Sequence, residues 1–164
     1  MSASESSTDP DTGGAETPDE RADRNFIELL QGFRVAVTGV QVLFAFLLVV
    51  PFSAEFVKVS DFGRQLLYIA LVSAAVASIC YIAPAAQHRV LFRQGLKEPL
   101  VHRSNRLGLA GGVALLIAMV SATLMVVDHL FDGVVPVLTA GLLAALAAWL
   151  WFVQPSIHRF NGTA

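Results

Sequence analysis

Four blocks of apolar residues, Gly39–Val57, Leu66–Ala86, Leu107–Val127 and Val134–Val153, dominate the chain, and short polar connections separate them. None carries a polar face at helical spacing, which separates them from the amphipathic helices of a soluble domain. Glu55, near the end of the first block, is their only charge. A helix of about 20 residues, rising about 1.5 Å per residue, crosses the roughly 30 Å of hydrocarbon in a bilayer, and each block has about that length. The pattern predicts an all-α protein: a four-transmembrane-helix bundle with spans at about 35–57, 65–86, 106–128 and 134–154, whose helix ends extend beyond the membrane on the cytoplasmic side.

Ahead of the first block the composition changes. Residues 1–20 hold six acids (Glu5, Asp9, Asp11, Glu16, Asp19, Glu20), no base, and Pro and Gly among Ser and Thr. Such a segment buries too little apolar surface to offset its ordering entropy, so residues 1–22 are expected to be a disordered acidic tail, with the transmembrane domain over residues 23–160. It has neither the basic start nor the apolar core of a secretory signal, so the first apolar block is expected to be retained. Cys80 is the single cysteine of the 164 residues, which excludes an intramolecular disulfide, and a small buried hydrophobe is its expected part.

The net charge of −2 conceals an asymmetry. Arg21, Arg24 and Arg34 flank the first block on its N-terminal side, Arg89, Arg93, Lys97, Arg103 and Arg106 fill the second connection, and Arg159 follows the last block, nine in all on one face. The other face has Lys58 and Arg64 only. The positive-inside rule puts the basic face in the cytoplasm, so a multi-pass protein of a bacterial inner membrane with both termini cytoplasmic is expected. The second connection, Gln87–Arg106, predicts helix extensions folded into a hairpin, broken at Gln94-Gly95 and restarted with Pro99 in the first turn, where its missing N–H costs little. Trp149 and Trp151 fall where indole rings favour the interface.

Polar residues of the first helix recur at spacings of three and four: Arg24, Glu28, Gln31, Arg34, Thr38 and Gln41. That spacing lines them along one side, with Gln41 the deepest, and intramembrane polar groups usually face a neighbouring helix or a wet cavity because lipid offers them no partner. The stripe is therefore the first candidate functional surface; packing of the stripe on the cytoplasmic hairpin, with Gln41 hydrogen-bonded to a neighbouring helix, is the alternative. A second candidate is a lipid-facing basic cluster of His88, Arg89, Arg93, Arg103 and Arg106. Small residues, among them Gly108, Gly111, Gly112, Ala74, Ala77, Gly141 and Ala144, predict close helix approach within one chain or between copies. A two-span repeat is also visible, Pro84 to His88-Arg89 matching Pro155 to His158-Arg159 and Arg34 with Gly39 matching Arg106 with Gly111; duplication and chance both account for it.

Other chemistry finds little support. Haem between His88 and His158 would need facing ligands with supporting hydrogen bonds, and no paired-His spacing lies within a helix, so neither a metal nor another cofactor is expected. The central parts of the four blocks contain no ionisable side chain of the kind proton-coupled transport uses. Phosphate loop, nucleophile elbow and zinc-binding His-Glu-x-x-His are absent from the sequence, and no enzymatic activity is expected.

The run Asp19-Glu20-Arg21-Ala22-Asp23-Arg24-Asn25, then Glu28-Leu29-Leu30, Arg34-Val35, Thr38-Gly39-Val40-Gln41 and Leu43-Phe44-Ala45-Phe46-Leu47-Leu48 before Pro51-Phe52, resembles an uncharacterised family of small membrane proteins, chiefly from high-GC Gram-positive bacteria. Ala83-Pro84, His88-Arg89 and Leu91-Phe92-Arg93 fit as well, and the resemblance spans roughly residues 19–130. It implies four helices and a membrane location. Some members carry an automated sodium/proton antiporter label, for which this chain lacks the intramembrane carboxylate. The leading expectation is a non-enzymatic membrane component that acts by association, with membrane lipid and a second copy or another membrane protein as partners and no role for nucleic acid. The rival is a small cation or proton transporter active as an oligomer, with Arg34, Thr38 and Gln41 along its path.

Overall fold

A computed structural model describes residues 18–91 and 97–161. These residues form α1 (Pro18–Val49), α2 (Asp61–Leu91), α3 (Lys97–Leu130), α4 (Val135–Ala148) and α5 (Gln154–Asn161), with a π-helical turn at Trp149–Val153 joining the last two. No strand occurs among the described residues. Four segments, Ile27–Phe52, Asp61–Gln87, Arg103–Leu130 and Val135–Ile157, are long and apolar enough to cross a membrane. The protein is thus an all-α, multi-pass assembly of four long helices.

Helix limits follow local chemistry. α1 starts at Pro18, inside the stretch expected to be tail, because proline suits a first turn and Asp19 and Glu20 lie where the helix dipole favours negative charge. Residues 1–17, the rest of that tail, lie outside the described residues. α1 ends at Val49 and not near residue 57, since Pro51 has no N–H for the next helical bond. The remaining apolar residues form two 3₁₀ turns, Val50–Phe52 and Ala54–Lys58. Ser60 then caps α2, its Oγ accepting the N–H of Gly63 at 3.1 Å. The Gln94-Gly95 break lies outside the described residues, while Pro99 falls in the first turn of α3. Between α3 and α4 the chain turns through Gly133 at φ 79°, a left-handed conformation open to glycine.

Neighbouring helices run antiparallel. The rings of Phe33 (α1) and Tyr81 (α2) meet with centroids 5.5 Å apart, and those same side chains cover Gly108 and Gly111 in the first half of α3. At the other end of the α2–α3 pair Gly63 lies against Met125, and Phe152, beyond α4, lies against Gly112. The starts of α1 and α3 and the ends of α2 and α5 therefore share one end, here the basic end.

α2 and α3 form the closest pair because their facing residues are small: Ala70, Ala74 and Ala77 against Ala114 and Ala118, all buried. In lipid the apolar effect does not drive helices together, so contact between closely approaching backbones must. α1 lies across this pair through Val40 and Leu47, with Phe33, Val37 and Phe44 beside them. α4 packs chiefly on α3, and only Pro136 and Ala140 of it are buried. α1 and α4 are thus the outer helices, each about 11% buried over its apolar window against 33% for α2 and 28% for α3.

Candidate functional site

Arg24, Glu28, Gln31, Arg34, Thr38 and Gln41 are all exposed, whereas Phe33, Ala36, Val37, Val40, Leu43, Phe44 and Leu47 form the face α1 packs inward. With about 3.6 residues per turn the polar stripe is centred about half a turn from that face, Gln41 at its margin. The alternative, packing of the stripe on the cytoplasmic hairpin, falls on side chains of residues 88–102 that lie outside the described ones; Gln41 makes no hydrogen bond to a neighbouring helix among the described residues. The inward face is filled by larger apolar residues that fit the α2–α3 pair, leaving the polar ones outside.

Thr38 is satisfied within its own helix, its Oγ1 donating to the Arg34 carbonyl at 3.0 Å. Gln41 is placed differently. No hydrogen bond from it to a described residue occurs, and it sits near the middle of the apolar segment Ile27–Phe52. An amide in such a segment brings two donors and an acceptor that lipid cannot meet. Arg24 and Glu28, although one turn apart, are not joined by an ion pair among the described residues.

The basic cluster is only partly described. Arg103 and Arg106 are exposed at the start of the third apolar segment. His88 and Arg89 are positioned by backbone alone in the last turns of α2, and Arg93 lies outside the described residues. At the opposite end the two bases are each matched by an acid three residues earlier, Lys58 with Glu55 at 2.9 Å and Arg64 with Asp61 at 3.4 Å.

Sequence patterning missed a joint at the basic end. Phe33, Tyr81, Gly108 and Gly111 bring three helices together there, and beside them a cleft of about 270 Å³ is lined by Tyr81, Asn105, Gly108, Gly112, Trp151 and Phe152. The cluster of glycines opening α3 was the available signal, but which rings would fill it depends on chain segments far apart in sequence. Ser104, one turn before Gly108, is fully buried with its Oγ unpartnered, and the Oε1 of Gln87 is likewise buried and unpartnered. Cys80 is a half-buried free thiol. No group of three or more His, Cys, Asp or Glu able to hold a metal ion occurs among the described residues.

The paired features of the two-span repeat differ locally. α2 continues through Pro84, which is fully buried, whereas the chain ahead of Pro155 takes a π-turn. Gly39 has open space around it, whereas a Cβ on Gly111 would lie 3.0 Å from the Tyr81 ring.

A family model described as a family of unknown function, DUF6328, matches residues 15–155, spanning every apolar segment and both candidate surfaces. The chain belongs to that family. No curated protein and no solved structure matches it. The match gives this DUF6328 protein its family without an activity, so any function rests on the chemistry of its own surfaces.

Proposed function

We propose that this protein is a non-enzymatic component of the bacterial inner membrane that acts by association, pairing with a second copy of itself through the outward polar face of α1. The observation that carries this is Gln41, an exposed amide near the middle of the apolar segment Ile27–Phe52 with no hydrogen bond to a described residue. In a parallel pair of α1 helices, which copies inserted the same way must form, the two Gln41 amides each donate and accept. Burying two otherwise unsatisfied amides against one another is a way for lipid-embedded helices to recognise a partner. The nine-to-two imbalance of Lys and Arg supports cytoplasmic termini, which leaves Arg24, Glu28 and Gln31 in or near the cytoplasmic headgroup layer.

The test is the mass of the purified full chain in mild detergent or nanodiscs, by light scattering or native mass spectrometry. A defined dimer that Gln41→Ala weakens supports the reading. Interhelical side-chain hydrogen bonds in membranes contribute about 0.6–2 kcal/mol, so the weakening should be about three- to thirtyfold. A monodisperse, partner-free monomer would contradict it. The competing reading, cation or proton transport along Arg34, Thr38 and Gln41 between subunits, predicts flux in proteoliposomes that Gln41→Ala abolishes.

A further inference from the structure

A groove of about 490 Å³ runs along the outer surface of the α2–α3 pair, away from the α1 stripe. Val72 and Val76 of α2 form one wall, Leu109, Val113 and Ile117 of α3 the other, and Arg106 stands at one end. The groove exists because Ala110 and Ala114 lie between the larger side chains, so the surface of α3 dips where a leucine would fill it. The wall residues are 41–56% exposed, so the described residues leave the groove open.

The occupant is constrained by length, position and charge. From Arg106 to Ile117 α3 rises about 16 Å, which is one leaflet of a hydrocarbon core about 30 Å thick. A partner helix crossing the membrane would need a track about twice as long. The volume falls within the roughly 300–1,000 Å³ of sites that hold small molecules, and the lining is apolar apart from Ser73 and Arg106. Arg106 lies in the first turn of the apolar segment Arg103–Leu130, at its polar end. No hydrogen bond or ion pair of its side chain occurs among the described residues, so its five donors are available, and the guanidinium fork matches phosphate in two-point contact.

We infer that this groove is a binding site for one anionic phospholipid, with an acyl chain along Val72, Val76, Leu109, Val113 and Ile117 and the phosphate on Arg106. Basic sites between transmembrane helices at one membrane face suit anionic headgroups, and here the apolar track and the cation are continuous. The site owes nothing to pairing through Gln41, so either proposal can fail without the other.

Native mass spectrometry of the full chain, titrated with phosphatidylglycerol or with phosphatidylcholine of the same acyl chains, tests it. The expected result is one retained phosphatidylglycerol per chain, with a preference over phosphatidylcholine of about tenfold, as a charge-assisted contact supplies. Arg106→Gln should erase the preference while leaving residual binding of either lipid. Ala110→Phe, which fills the groove without touching the charge, should weaken both lipids about equally. Arg103→Gln, one turn away and outside the groove, should change little. A preference that survives Arg106→Gln, binding that survives Ala110→Phe, or equal losses from Arg103→Gln and Arg106→Gln would overturn the assignment in favour of diffuse attraction to the basic end. Helicity by circular dichroism, together with an unchanged oligomeric mass, checks that each variant is folded.

Discussion

Replacing Gly108 by alanine should reverse its effect on stability according to what occupies position 33. A Cβ on Gly108 would lie 2.7 Å from both Cε1 and Cζ of Phe33. Carbon atoms prefer about 3.5–4.0 Å, so the ring has to retreat by about 1 Å. Its retreat also disturbs the packing with Tyr81, whose ring centroid is 5.5 Å away. Overpacking of this kind costs about 1–3 kcal/mol, whereas alanine gains about 1 kcal/mol over glycine in helix propensity. The net expectation for Gly108→Ala is destabilisation by about 1 kcal/mol. In a Phe33→Ala background the clash is gone, and the same substitution should stabilise by about 1 kcal/mol, giving a coupling of about 2 kcal/mol. Reversible unfolding in mixed micelles titrated with sodium dodecyl sulfate, followed by circular dichroism, measures all four corners of the cycle. Equal effects of Gly108→Ala in the two backgrounds, within about 0.5 kcal/mol, would refute the three-helix joint.

Val40→Ala removes a fully buried side chain from the inward face of α1 and should cost about 2 kcal/mol, whereas Val42→Ala, at a position 53% exposed, should stay within about 0.5 kcal/mol in the same unfolding assay. Ser104→Ala deletes a buried hydroxyl that has no partner, so stability should hold or rise by up to about 2 kcal/mol; a loss above about 1 kcal/mol would mean that the hydroxyl is satisfied after all. Gly133→Ala forces a side chain onto a residue at φ 79° and should cost about 1 kcal/mol, with a lowered unfolding midpoint as the readout.

The four helices were legible because lipid demands long uninterrupted apolar blocks, and Gly39–Val57, Leu66–Ala86, Leu107–Val127 and Val134–Val153 meet that demand whatever the packing. The direction each helix faces was not. Spacing put Arg24 through Gln41 on one side of α1, but in a bilayer both the packed and the lipid-facing sides are apolar, so the pattern carries no sign to say which is inward. Val40 and Val42 look alike in sequence, yet one is buried and the other 53% exposed. Pro51 could have been read as the end of α1, since the apolar run continues past a residue that cannot continue the helix. The Phe33–Tyr81 contact and the groove ending at Arg106 depend on the register between helices, which side-chain fit fixes and periodicity does not.

The outward orientation of the α1 stripe is most directly tested by cysteine cross-linking in native membranes. In a Cys80→Ala background that keeps Gln41, Thr38→Cys, exposed on the same face of α1, should oxidise to a disulfide-linked dimer, while Leu142→Cys, at a position 71% exposed on α4, should remain monomeric. A Thr38→Cys protein that stays monomeric, or a Leu142→Cys protein that links as readily, would contradict association through the polar face of α1.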